Sequence, residues 1–263
     1  MPIVAVLLAL VAVAFFTLPL IGLFRRVSWG ALWDDLSEPA ARDALRLSFE
    51  CSLWSTFFAV VFGVPLAYVL ARAQFPGRSF VRALVVLPMV LPPVVGGVAL
   101  LFAFQRNNGL IGGLIYDLFD FQFTFSKWGV VLAGTFVAMP FLVITVEAGL
   151  RTMDRRYEDA AASLGAGRWT VFRRVTVPMI APALIAGAAL AWARALGEFG
   201  ATITFAGNIQ GRTQTTPLAV YNLLESNQSV AIALSLVLLA ISVVVLVSLR
   251  DHWFGGLRER ESA

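Results

Sequence analysis

The chain has 263 residues, 59% of them hydrophobic and only 14% charged. Soluble domains carry about 25% charged residues, so the composition excludes an ordinary globular domain and points to a membrane protein. Net charge is +4, but the basic residues are scattered between apolar runs, which suits loops flanking a bilayer and not a nucleic-acid surface. One cysteine, Cys51, rules out an intramolecular disulfide, and its apolar surroundings read as those of a small core residue. With His252 as the only histidine there is no usual metal or nucleophile constellation. Neither a Walker A sequence nor GxGxxG occurs, so any ATP must be bound by another chain.

Six apolar segments are long enough to cross a bilayer, which takes about 20 helical residues. The first covers about 2–24. No charge precedes it and it is too long for a signal-peptide core, so it reads as a retained span. Residues 25–43 are polar, with Trp29 and Trp33 suited either to the membrane–water interface or to loop packing. The second span covers about 44–71, with Glu50 near its outer end, and is followed by a short basic turn, 72–82. The third, 83–104, holds Pro88, Pro92, Pro93, Gly96 and Gly97, which must distort it. Distorted backbone at membrane depth survives only where protein or a cavity covers it, so this span belongs inside a bundle.

An aromatic-rich segment, 105–127, leads to the fourth span, 128–150, which is interrupted by Pro140 and carries Glu147 near its inner end. A polar loop, 151–181, precedes the fifth span, 182–205. A second polar segment, 207–226, precedes the sixth, 230–249, and the tail from Arg250 is too short to be a domain. No repeat of 20–50 residues is evident. The expectation is one all-α transmembrane domain over 1–263. With both termini on one side, the segments on that side hold twelve Lys and Arg against seven opposite. Excess basic charge marks the cytoplasmic face, so both termini and the 151–181 loop are expected there.

In the fifth span Arg194 and Glu198 stand i, i+4 on one helical face and are spaced to pair. A charge near the bilayer centre costs about 2.5–3.5 kcal/mol even on an insertion scale, so neither should face lipid. Gly197 and Gly200 permit close approach or local unwinding, and Thr202 and Thr204 add hydroxyls. The cluster reads either as a pathway wall or gate, or as an ion pair that fixes helix packing.

The 151–181 loop contains EDAAASLGAGRWTVFRRVTVP, from Glu158 to Pro178. Two acids and small residues open it, Gly165-Ala166-Gly167 can turn the chain sharply, and Trp169 and Phe172 follow at i, i+3 spacing. It resembles the EAA loop of ABC-importer permeases. Asp159 stands in place of the usual Glu, followed by Ala160, Ala161 and Gly165, and the ending is Val175-Thr176-Val177-Pro178. In that family the loop forms a coupling helix that docks on a cytoplasmic ATPase. The resemblance therefore implies a coupling role for Glu158, Asp159, Ala160, Ala161, Gly165, Ala166, Trp169, Phe172 and Pro178.

A narrower resemblance rests on Leu196-Gly197-Glu198-Phe199-Gly200-Ala201, on Gly207 through Thr215, on Pro217-Leu218, on Phe75-Pro76-Gly77 and on Leu87 through Pro93. Together they are similar to permease subunits of molybdate ABC importers. Tungstate and sulfate or thiosulfate permeases share much of the Gly-Glu-Phe-Gly pattern. The resemblance implies a six-span type I importer fold in a prokaryotic cell (inner) membrane. The chain would be a homodimer with two copies of an ATPase that carries the ATP and Mg, and no cofactor or metal of its own. A periplasmic or lipid-anchored molybdate-binding protein would deliver the anion, and Asn208, Arg212 and Gln214 stand where such a protein could be met. Arg194, Gly197, Glu198, Gly200 and Thr202 are the expected pathway or gate. The rival of another class, an independent channel or ion-coupled carrier, would leave the 151–181 loop dispensable.

Overall fold

A computed structural model describes residues 2–261, with side chains described through Leu249. The fold is all-α, as expected, with no strand among the described residues. Helix α1 (Ile3–Arg25) is apolar all round and has no buried residue. A helix of that kind suits a hydrocarbon solvent. A short α2 (Leu32–Ser37) leads into α3 (Pro39–Arg72), which starts at Pro39, where a missing N–H costs nothing.

The centre of the bundle is α3 packed on α7 (Lys127–Thr152) and on α11 (Ala181–Leu196). Small residues recur every three or four positions on α3: Ala41, Ala44, Ser48, Ser52, Ser55, Ala59, Gly63 and Ala67 are all buried. That spacing keeps one narrow face toward its neighbours, and in lipid close backbone approach replaces the hydrophobic drive. The contact is tight: a Cβ on Gly63 would lie 2.8 Å from the Leu142 side chain. The Ser55 hydroxyl donates to the Val131 carbonyl at 3.0 Å, so a polar group inside the bundle is satisfied.

Ion pairs mark the two ends of this core. At one end Lys127 pairs with Glu50. At the other, Glu147 accepts from Arg82 and, at 2.7 Å, from Arg151 one turn along. Contacts from α3 to α7 advance together through Glu50–Lys127, Ser55–Val131 and Gly63–Leu142, so the two helices run parallel, and the Arg72–Arg151 end is called the basic end below.

The expected third span is not one helix. It is α4 (Arg78–Val90) and α5 (Pro93–Phe104), bent by 119°. The cause is Pro92-Pro93. A residue before proline is pushed out of the helical region, and here Leu91 (ψ 138°) and Pro92 (ψ 132°) are both extended. Pro88 is accommodated inside α4. Gly96 and Gly97, read from sequence as distorting residues, instead lie within regular α5, buried against its neighbours.

The fifth span is also divided. Helix α11 ends at Leu196, and α12 (Gly200–Phe205) resumes after three non-helical residues. Among the described residues four continuous helices are long and apolar enough to cross a membrane, or up to six spans if two bent pairs each count as one: α4 with α5, and the segment Arg168–Met179 with α11, which meet at an elbow of 72°. The remaining pieces are α6 (Gly112–Phe119), α13 (Thr216–Ser226) and α14 (Gln228–Glu261), of which α14 contains the sixth apolar run, Gln228–Leu249, and ends at Glu261.

Helix α5 lies directly on α12. A Cβ on Gly97 would stand 2.7 Å from the Thr204 Cβ and 2.9 Å from the Ala201 carbonyl oxygen. Gly97→Val is therefore expected to destabilise the bundle by about 2 kcal/mol through overpacking. A lowered thermal midpoint of the detergent-solubilised chain would show it; an unchanged midpoint would mean that α5 and α12 are not in contact.

Candidate functional site

The loop over 151–181 folds as three short helical pieces: α8 (Arg156–Ser163), α9 (Arg168–Val171) and α10 (Val177–Met179), with a π-helical turn at Phe172–Thr176. Gly165 ends α8 at φ 86°. Its N–H bonds the Ala162 carbonyl at 3.0 Å, and the Ala166 N–H bonds the Ala161 carbonyl at 3.1 Å. This paired closure is the Schellman arrangement, which needs a left-handed residue at that one position. The sharp turn expected from Gly165-Ala166-Gly167 is thus carried by Gly165 alone; Gly167 has an ordinary φ of −65°.

Two aromatic residues hold the second half against the bundle. Trp169 stacks on Phe172 with ring centroids 5.6 Å apart, and Phe172 meets the edge of Tyr68 on α3 at 5.3 Å. Trp169 remains 70% exposed and Leu164 89%, so the loop presents uncovered apolar side chains among its exposed arginines. Asp159, Ala160, Gly165 and Pro178 are also exposed. A cavity of about 680 Å³ opens between the loop and Pro65, Tyr68 and Val69 of α3, with Glu158, Asp159 and Trp169 on its wall.

The two acids of the loop point differently. Consecutive helical residues are about 100° apart, so one can face the bundle while the other faces out. Glu158 faces in: one oxygen accepts from the Thr176 hydroxyl at 2.7 Å, and the other lies 3.1 Å from Arg72 Nη2 at the end of α3. Asp159 makes no ion pair among the described residues. Thr176 stands in the loop's Val-Thr-Val-Pro ending and Arg72 opens the basic turn after α3, but the sequence gives neither a role. The only available signal was a basic turn without an acid of its own.

Further along, Arg194 Nη1 and Glu198 Oε2 are 2.7 Å apart, the pairing expected from their spacing. Glu198 does more than neutralise Arg194. Its other oxygen accepts the Ala201 N–H at 2.7 Å, capping the first turn of α12 across the break. The Glu198 side chain is 2% exposed and that of Arg194 28%, so the guanidinium is presented by a buried carboxylate. Gly197 is exposed at the break, and Thr202 is buried behind it, beside Ser48, Ser52 and Ser55. Gly200 lies against α5: a Cβ there would stand 2.7 Å from the Pro93 Cβ. The breaks in the third and fifth spans therefore meet one another.

Asn208 and Gln214 bond together at 3.0 Å, and Asn208 also donates to Asn222 at 3.1 Å, so these amides brace their own segment. Arg212 is apart from them. It lines a 290 Å³ cleft with Asp43, Arg46, Glu50 and Lys127, at the end opposite the basic end. The sequence-selected residues thus fall into three separate places: the loop, the paired breaks and this far cleft.

Comparison with known proteins gives a consistent result. Residues 59–253 match the family model described as the binding-protein-dependent transport system inner membrane component. The molybdenum transport system permease protein ModB of Mycobacterium bovis is 44% identical over 239 residues, covering 91% of this chain and 90% of that one. The sulfate transport system permease protein CysT of Salmonella typhimurium is 39% identical over 225 residues, covering 85% and 80%. Among solved structures, a bacterial alginate ABC transporter in complex with its alginate pentasaccharide-bound periplasmic protein superposes with a TM-score of 0.74 at 18% identity, over 94% of this chain and 92% of that one. The last likeness establishes the permease fold, and the first two establish kinship along most of the sequence. This multi-pass membrane chain belongs to the family of inner membrane components of binding-protein-dependent transport systems.

Proposed function

We propose that the chain is the membrane subunit of an ATP-driven importer that passes molybdate, delivered by a binding protein on the outer side. The observation that carries this is the 44% identity, over nine-tenths of the chain, to a molybdenum permease. The exposed α8–Gly165–α9 hairpin supports it, because a chain without a nucleotide motif needs a surface for a separate ATPase. Two copies would form the pore, and two ATPases would sit beneath the basic end, with both termini on that cytoplasmic side. Helix α11 leaves the docking loop and rises about 24 Å to the α11–α12 break. Movement of the loop would therefore reach Arg194, Glu198 and Gly200 along a rigid rod.

A pore needs no tight anion site if the binding protein supplies affinity, and the sequence agrees, with Arg194 the one basic residue deep in an apolar run. The cleft that Arg212 lines, at the end opposite the basic end, supports a meeting point with that protein there. Sulfate is the second reading, favoured by the 39% identity to a sulfate permease. Radiolabelled molybdate uptake into proteoliposomes tests both, with the chain reconstituted alone and with its ATPase and binding protein. Uptake only in the full, ATP-supplied mixture is expected, with sulfate a poor competitor. Uptake by the chain alone would make it a channel or carrier, and strong competition by sulfate would move the assignment to that anion.

A further inference from the structure

The EAA-type loop presents two adjacent acids, and the geometry gives them different work. Glu158 sits in the first turn of α8 with both oxygens occupied. Arg72 is the last residue of α3, and Thr176 is the last residue of the π-helical turn that leads through α10 into α11. One carboxylate thus ties the docking helix α8 both to the end of α3 and to the π-helical turn.

The contacts are built into the protein and are not surface accidents. Thr176 is fully buried, and the side chains of Arg72 and Glu158 are 12% and 15% exposed. The Thr176 contact is a well-formed hydrogen bond of 2.7 Å. The Arg72 contact is a charge contact, since Nη2 approaches to 3.1 Å without hydrogen-bond alignment, and Arg72 Nε is buried without a partner. A guanidinium in that position depends on the nearby carboxylate, because removing one member of a desolvated pair strands the other. The π-helical turn matters as well. Pro178 has no N–H to continue the ladder, and Val177 bonds back to the Phe172 carbonyl across the wider turn. The wider turn ends at Thr176, whose buried hydroxyl reaches Glu158.

Resting on the importer reading above, we propose that Glu158 is a positioning residue, a latch through which the docking helix holds the end of α3 and the elbow of α11, while Asp159 is the acid that meets the ATPase. A displacement of α8 is then shared at once by α3 and α11, two of the three central helices, and reaches the paired breaks as one motion. Without the latch, α8 remains docked but can shift against the bundle, and ATP turnover no longer drives the pore.

The test uses the full complex of permease, ATPase and binding protein in proteoliposomes, with molybdate uptake and ATP hydrolysis measured together. Glu158→Gln keeps the size and the acceptor for Thr176 but removes the charge facing Arg72. Its complex is expected to retain its ATPase on purification while molybdate taken up per ATP falls about ten-fold, a typical size for lost coupling between sites. Asp159→Asn is expected to lower the amount of ATPase that co-purifies. The swap Arg72→Glu with Glu158→Arg is expected to regain part of the uptake per ATP that Arg72→Glu alone loses; a merely structural contact would leave that ratio unmoved.

A wild-type uptake ratio in Glu158→Gln overturns the latch, and so does a swap as uncoupled as the single variants. ATPase lost from Glu158→Gln but kept by Asp159→Asn would reverse the two assignments. Absence of ATP-dependent uptake in the wild-type complex would instead remove the importer reading itself.

Discussion

Gly165→Val is expected to separate ATP hydrolysis from transport. The residue holds φ 86°, a backbone region closed to β-branched side chains, and no neighbouring atom lies within 4 Å of a Cβ there. The penalty is therefore purely conformational. The left-handed geometry costs an ordinary L-residue about 1–2 kcal/mol, and more for valine. The chain would escape by opening the turn, which breaks the Ala166-to-Ala161 and Gly165-to-Ala162 bonds and changes the angle between α8 and α9. Nothing in the membrane core touches Gly165, so the variant should reach the membrane in normal amount. Molybdate uptake by the full complex should fall well below wild type while ATP continues to be hydrolysed. Coupled transport at the wild-type ratio would show that the α8–α9 angle is irrelevant to transmission. Gly165→Asn, which tolerates the left-handed region better, should lie between the two.

Glu198→Ala should be the most damaging single change inside the bundle. It removes the partner of Arg194 and also frees the Ala201 N–H at the start of α12. Breaking a buried pair costs about 3–5 kcal/mol because an uncompensated charge is left behind; the 28% exposure of Arg194 places this case at the lower end of that range. The expected readout is a large loss of monodisperse protein in detergent and a lowered thermal midpoint. The double variant Arg194→Leu with Glu198→Ala removes both charges and should regain most of that stability. Its uptake then decides what the pair is for. Stable protein without uptake makes the guanidinium part of the pathway; stable protein with normal uptake makes the pair a packing device.

The meeting of the two breaks gives both variants their significance. Non-helical backbone is tolerated at membrane depth only where protein or a water-lined cavity covers it. Here each break covers the other, with Gly200 seated on Pro93 and Glu198 capping the helix that restarts between them. Discontinuous helices of this kind present backbone polar groups where a polar solute must pass. A change in the α11 elbow would move one break against the other without unfolding a regular helix.

The amino-acid sequence by itself determined the membrane character, the all-α class, the helix–turn–helix loop with Gly165 at its corner, and the pairing of Arg194 with Glu198. Each is a local property: apolar run length, one residue that accepts positive φ, or two charges one turn apart. It also carried the family, because the loop and the Gly-Glu-Phe-Gly segment are contiguous motifs. Only the tertiary structure decided that the third span is broken through 119° at Leu91–Pro92, that Gly96 and Gly97 are packing residues, and that this break sits on the one at Gly197–Phe199. Proline and glycine announce that a helix will be disturbed, but whether it kinks, breaks or packs depends on what the neighbouring helix offers. The same holds for Glu158 and Asp159. They are adjacent acids in one motif, and no local rule distinguishes them. Arg72, eighty-six positions away, and Thr176 assign one to the bundle and leave the other outside, because a desolvated carboxylate goes where a buried cation and hydroxyl can meet it.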